Sequence, residues 1–371
     1  MEQYKYINFL KGIAIFGVIL VHSPQKIVGL DSLIKELLHF GAFGCQLFFV
    51  ISGYLSVLSW NRIIGQSKNR SDVIFKFYRR RFLSIGPIYF LFIIFYQILA
   101  YLISYFKLPE FYPISTDSLS VIANFLLLQG LDFENFNTVV PGGWFIGTIV
   151  LFYIIFPLLY KCHLKLCLYN NKFSPLFLTV IVTAISFIIQ YTLMLITDNW
   201  ILSRTGSYVY YSLLNQIPCL TLGIAIHNLS FKNADWRKYV VLSLGLFFVT
   251  NLAYYILRFH YWIYCFIPLM LGLTFLFFFI GLRNAYKTTF LGKTYIARWL
   301  EKAGALSFSA YFTNFIGAFI FPWGIQLILY RIGITIHPCW LFTILFVPIF
   351  VITFITVPPV DYLIRMFKKI I

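Results

Sequence analysis

The sequence predicts an all-α, polytopic membrane protein of about ten transmembrane helices, and three observations predict it. Composition is the first: 60% of the 371 residues are hydrophobic and only 11% charged, with a mean hydropathy of +0.84. Soluble domains carry roughly a quarter charged residues. The second is the form of the apolar runs. Phe82–Phe106 and Tyr239–Leu257 are predominantly apolar at helix-spanning length, and Ile149–Leu159 lacks the polar/apolar alternation of a barrel strand. The third is the distribution of positive charge. Of 29 lysines and arginines, all but Lys26, Lys35, Lys107, Arg204, Arg258 and Arg331 fall on one side of the predicted spans.

Those spans are approximately 9–29, 40–60, 82–106, 141–160, 174–197, 208–228, 240–257, 263–281, 304–330 and 338–363. Basic residues concentrate before the first span and after each even-numbered one, including Lys68, Lys172 and Lys232. By the positive-inside rule both termini are expected to be cytoplasmic. The same distribution explains the net charge of +17 without invoking nucleic acid. Residues 1–371 read as a single membrane domain, without a linker or low-complexity tract. The first apolar stretch runs to His22 and Pro24 with no small-residue cleavage site, so removal as a signal peptide is not expected. The six cysteines show neither a disulfide framework nor zinc spacing, and no metal is expected.

Two connections are long. Asn61–Arg81 is basic and ends in Arg79, Arg80 and Arg81; Lys107–Pro141, on the opposite side, carries Glu110, Asp117, Asp132 and Glu134 among aromatic residues. Within the second, Ser118–Leu131 is apolar enough to lie along the membrane or re-enter it, with Asp117 placed to cap it.

Chemistry points first to Lys11 and His22. An ionisable group inside lipid is costly and marks a candidate site. Eleven residues return a helix to nearly the same face about 16 Å further on, which puts Lys11 near the surface and His22 well inside the bilayer. The plainer alternatives are an interhelical hydrogen bond for His22 and a helix-end anchor for Lys11. The guanidinium forks of Arg79, Arg80 and Arg81 suit phosphate, although arginines at helix ends also pair with anionic lipid. Trp144, after Pro141-Gly142-Gly143, offers a ring to cover a sugar face or an interfacial anchor. Ser52, before Gly53, offers a hydroxyl to orient a reacting group or simply tight packing. Carboxylates are absent from the middle of the spans, which counts against proton-coupled transport.

Taken together, these segments resemble the membrane-bound acyltransferase-3 family. Tyr6–Ala14 through Val21-His22-Ser23 is similar to its opening motif. Phe48–Leu55 resembles its second-span hallmark, Arg80–Tyr89 its third-span arginine motif, and Gly142–Gly147 with Phe152-Tyr153 and Phe156-Pro157 its fourth. Ser307–Phe312 is a weaker match in the ninth span. Departures are Lys11 for the usual arginine, Ser84 for the second arginine, Ile149 and Val150 where an acidic residue often stands, and Asn314 for a histidine.

The resemblance implies acyl transfer in the inner (plasma) membrane, among membrane lipid and without nucleic acid. The implied donor is a cytosolic acyl-CoA, with acetyl-CoA expected, and the acceptor a hydroxyl of a surface or lipid-linked glycan. On this reading His22 is the general base, or the carrier of a covalent acyl-imidazole. Lys11 binds the donor or polarises its carbonyl; Arg79, Arg80 and Arg81 hold the CoA phosphates; Trp144 and Ser52 contact substrate. The alternatives are a transporter or flippase of lipid-linked glycan intermediates and a catalytically silent member.

Overall fold

The computed structural model describes the whole chain except residues 1, 68, 169–172, 197–207, 230–234, 258–260 and 371. Of the basic residues in the charge pattern, Lys68, Lys172, Arg204, Lys232 and Arg258 lie outside the described residues. The described residues form helices and turns with no strand. Among the described residues, ten helical stretches are long and apolar enough to cross a membrane, and they coincide in order with the ten predicted spans.

Helix α1 (Glu2–His22) stops before Pro24, whose ring disfavours helical geometry at Ser23. The predicted continuation to residue 29 is instead a run of turns. Helix α2 (Ser32–Leu38) is capped by Asp31, which accepts from the Leu33 N–H at 2.8 Å. A 3-10 turn, His39–Phe43, then leads into α3 (Gly44–Ile64).

Helix α4 (Arg70–Tyr105) begins about three turns before the expected boundary at residue 82. Most of the basic connection is therefore helix. Lys76 pairs with Asp72 one turn back at 2.7 Å, and Val73 and Phe77 are buried. Phe77 stacks on Phe156 with ring centres 5.0 Å apart. The charged residues read as loop because they occupy the outer face of a helix whose inner face is apolar.

The long connection on the other side is ordered by contacts with α4 and with α6 (Gly143–Cys167). Its helix α5 (Ser118–Phe125) is capped by Asp117, which accepts from the Ser120 N–H at 2.9 Å. Tyr89 donates to the buried Asn124, and buried Gln129 donates to the Gly143 carbonyl at 3.4 Å. The connection thus folds back onto helix ends.

The remaining helices are α7 (Ser174–Ile196), α8 (Leu213–Asn228), α9 (Trp236–Leu257), α10 (Tyr261–Thr288), α11 (Tyr295–Ala305), α12 (Ser307–Phe315), α13 (Phe321–Arg331), α14 (Pro338–Ile355) and α15 (Val357–Ile370). A single turn, Tyr208–Tyr211, precedes α8, and a π turn, Ile316–Ile320, joins α12 to α13. Helices α3 and α8 bury most of their surface at the centre, whereas α7 and α9 turn most of theirs outward. The α3–α8 crossing depends on two glycines. A Cβ on Gly53 would lie 2.1 Å from the Leu220 carbonyl oxygen, and one on Gly223 2.1 Å from that of Val50. Backbones that close admit no side chain, so the Ser52-Gly53-Tyr54 segment is a packing device at its second residue.

Candidate active site

His22 lines a cavity of about 300 Å³. Its walls come from the far end of α1, the start of α3 (Cys45 and Gln46), the start of α6 (Trp144), the turn at Tyr210 and Tyr211, Tyr254 of α9 and Tyr311 of α12. His22 is half-buried. Its Nδ1 lies 3.3 Å from Oε1 of Gln25. An amide oxygen only accepts, so in this contact Nδ1 is the donor, and a neutral ring then keeps the lone pair of Nε2. Phe315 and Phe319 hold the ring, at centre-to-centre distances of 4.7 and 5.4 Å. Tautomer and orientation are both set by neighbours.

The placement corrects one expectation. The spanning stretch runs Lys5–His22, so Lys11 is about 9 Å inside it and His22 is its last residue. The helix starts at Glu2, earlier than the charges suggested, and Pro24 ends it. His22 thus stands at the end of its helix, and Lys11 near the middle.

Trp144 is buried beside the cavity, 4.4 Å from the Tyr211 ring centre. The turn before it explains the double glycine. Gly142 has φ +79°, in the left-handed region, and a Cβ there would lie 2.7 Å from the Phe315 ring and 2.9 Å from the Tyr311 hydroxyl. Tyr311 donates to the Gly142 carbonyl at 3.0 Å. The turn therefore fixes Tyr311, which lines the cavity, and Phe315, which packs on His22. Gly142→Ala is expected to destabilise the protein by at least about 2 kcal/mol, combining left-handed strain with overpacking. A clear fall in the thermal unfolding midpoint of the purified protein checks this.

A second cluster gathers around Arg81. The Arg81 guanidinium donates to the Leu55 carbonyl at 3.2 Å and sits over the rings of Tyr153 (4.7 Å) and Phe77 (5.1 Å). Its buried Nε has no hydrogen-bond partner among the described residues. Half-buried Lys11 feels the charge of Arg81. Among the described residues neither cation has a carboxylate within ion-pair distance; the ion pair present is Lys76–Asp72. Two like charges in an apolar interior favour an incoming anion.

Arg79 and Arg80 do not join this cluster. Both are exposed, and Arg80 reaches Gln66 at 3.4 Å, because successive helical residues point about 100° apart. Ser52 precedes Leu55 by one turn on the same face of α3, which places it at the level of Arg81 and outside the His22 cavity. Of the variant motif positions, Ser84 is exposed while Ile149 and Asn314 are buried, and none lines the cavity. Asn314 donates to the Tyr311 carbonyl one turn back.

Two levels are thus separated along the bundle. Lys11 and His22 are about 16 Å apart on α1, and Gln46 and Leu55 about 14 Å apart on α3. Between them the Phe49 and Phe145 rings stack at 4.8 Å, and Ile15 and Phe49 are fully buried. Neither Lys11 nor Arg81 lines the His22 cavity.

Reading the sequence missed Gln25 and His39, which line the cavity together with Gln46, a polar residue within a span that needed a hydrogen-bond partner and finds one in Gln216. Gln25 is one turn beyond His22, a spacing that could have flagged it. His39 gave no signal, since its ring reaches the site by stacking on Tyr254, 5.4 Å away, a contact made between distant segments.

A family model described as an acyltransferase domain matches residues 4–357. No curated protein and no solved structure matches the chain.

Proposed function

Because this chain belongs to the acyltransferase-3 family and is a multi-pass membrane acyltransferase, we propose that it transfers an acyl group, acetyl first among candidates, from acyl-CoA to a hydroxyl of a surface or lipid-linked glycan. The membrane is the plasma membrane, with the arginine-rich face in the cytosol, as the charge bias favours. One observation carries the reading: an imidazole with its tautomer set by Gln25 at a cavity walled by Trp144 and tyrosines.

In this mechanism Nε2 of His22 removes the proton of the acceptor hydroxyl as its oxygen attacks the thioester carbonyl. The carbon–sulfur bond then breaks, and the departing thiolate takes the proton from the imidazolium. Trp144 and Tyr211 offer apolar faces to the sugar. Lys11 and Arg81 supply the positive charge that the donor's phosphates need, and exposed Arg79 and Arg80 extend it toward the aqueous phase. Since the cations and His22 occupy different levels, the pantetheine arm has to pass Phe49 and Phe145, and closure by these rings is the resting state.

The test is direct. Protein in lipid nanodiscs is incubated with acetyl-CoA, and free thiol is followed with and without extracted surface glycan; acetylated glycan is read by mass spectrometry. Glycan-dependent CoA release is expected. Absence of release with acetyl-, propionyl- and butyryl-CoA alike would reject acyl-CoA as donor.

A further inference from the structure

The charge pattern leaves six basic residues on the His22 side, and three of them, Lys26, Lys35 and Arg331, line one cavity of about 640 Å³ against a single carboxylate, Glu110. Gln25, the residue bonded to His22, lines this cavity and the His22 cavity alike, so the two adjoin. None of the three cations is ion-paired among the described residues. Lys26 is the nearest to the imidazole: its ammonium lies 4.8 Å from the centre of the Phe319 ring, and that ring packs against His22.

The cavity is built rather than incidental. Gln326 of α13 donates to the Lys26 carbonyl at 2.7 Å and accepts from the Val28 N–H at 2.9 Å, pinning the segment that carries Lys26. Trp323 donates to the Pro109 carbonyl at 3.0 Å, which fixes an aromatic face beside the cations. Burial holds the Lys26 ammonium below the usual lysine range, and an anion beside it would relieve that cost.

We propose that this cavity binds an oxyanion of the acceptor, a carboxylate or a phosphate, while the hydroxyl to be acylated lies at His22. The acceptor is accordingly an acidic glycan. Trp323 offers a stacking face for a sugar ring, Lys26 meets the charge nearest the reacting centre, and Lys35 and Arg331 form the outer rim. This deepens the acyl-transfer reading and rests on it.

Binding, measured apart from turnover, tests the proposal. Protein in phosphatidylcholine nanodiscs is titrated with a glucuronate-bearing disaccharide, a glycerol-phosphate-bearing disaccharide, and the neutral methyl ester of each. At least one charged form is expected to bind about tenfold more tightly than its ester. Lys26→Gln and the pair Lys35→Gln/Arg331→Gln should each reduce that preference, and Lys26→Arg should restore it. Equal binding of charged and neutral forms, or a preference unchanged in both glutamine variants, would overturn the proposal. So would loss of the preference when phosphatidylglycerol is added to the discs, because the occupant would then be a lipid headgroup. CoA release from the same discs reports separately on acyl transfer: failure there with anion preference intact refutes the donor, and the converse refutes only the acidic acceptor.

Discussion

His22→Ala is expected to lower acyl transfer by about 10²–10⁴-fold, the usual contribution of a positioned general base. The substitution falls on the last residue of α1, where the side-chain hydrogen bond it removes among the described residues is the exposed one to Gln25. Membrane insertion and the thermal midpoint should therefore change little. His22→Gln keeps polarity and approximate size without a basic nitrogen, and should be as inactive as alanine. Gln25→Ala should cost less, since it frees the tautomer and leaves the base in place. CoA release and product mass spectrometry read all three. Activity retained in both His22 variants would remove it from the mechanism.

The second large effect is expected at Arg81. Arg81→Ala should raise the KM for acetyl-CoA by roughly 30-fold or more, as befits loss of a charge-assisted phosphate contact away from bulk water. Arg81→Lys should recover part of that loss. Arg79→Ala and Arg80→Ala should each cost only a few-fold, because exposed ion pairs contribute little. Acetyl-N-acetylcysteamine, a thioester without phosphates, separates binding from folding: with it the Arg81→Ala penalty should vanish. A penalty of equal size on both donors would mean that Arg81 supports the fold and not the phosphates. Lys11→Arg should retain partial function if its role is charge alone.

Helix number and order were legible because apolar runs of spanning length leave few alternatives, and the Asp117 cap followed from local chemistry at the start of α5. Errors came at helix ends. The start of α4 was hidden because Arg79 and Arg80 face outward while Phe77, two to three residues away, faces in. The first span ends at His22 rather than at residue 29 because Pro24 terminates α1. What sequence spacing does not encode is which side chains from remote segments meet. The stacking of His39 on Tyr254 and the contact of Gly142 with Phe315 join residues whose proximity exists only after the bundle forms. The same limit applies to Arg79, Arg80 and Arg81, which are contiguous in the chain and divided by helical rotation.

The stacked Phe49 and Phe145 rings bear on the economy of the host cell. A catalyst that takes its thioester from one compartment and serves an alcohol in another faces a hazard that soluble enzymes never meet. A permanent thread of water through it would carry protons down their gradient, at about 2.3 kcal/mol per elementary charge for every 100 mV. On the proposed mechanism, the aromatic rings stacked between the two levels would keep such a protein an electrical insulator between turnovers, so that the membrane voltage survives its presence.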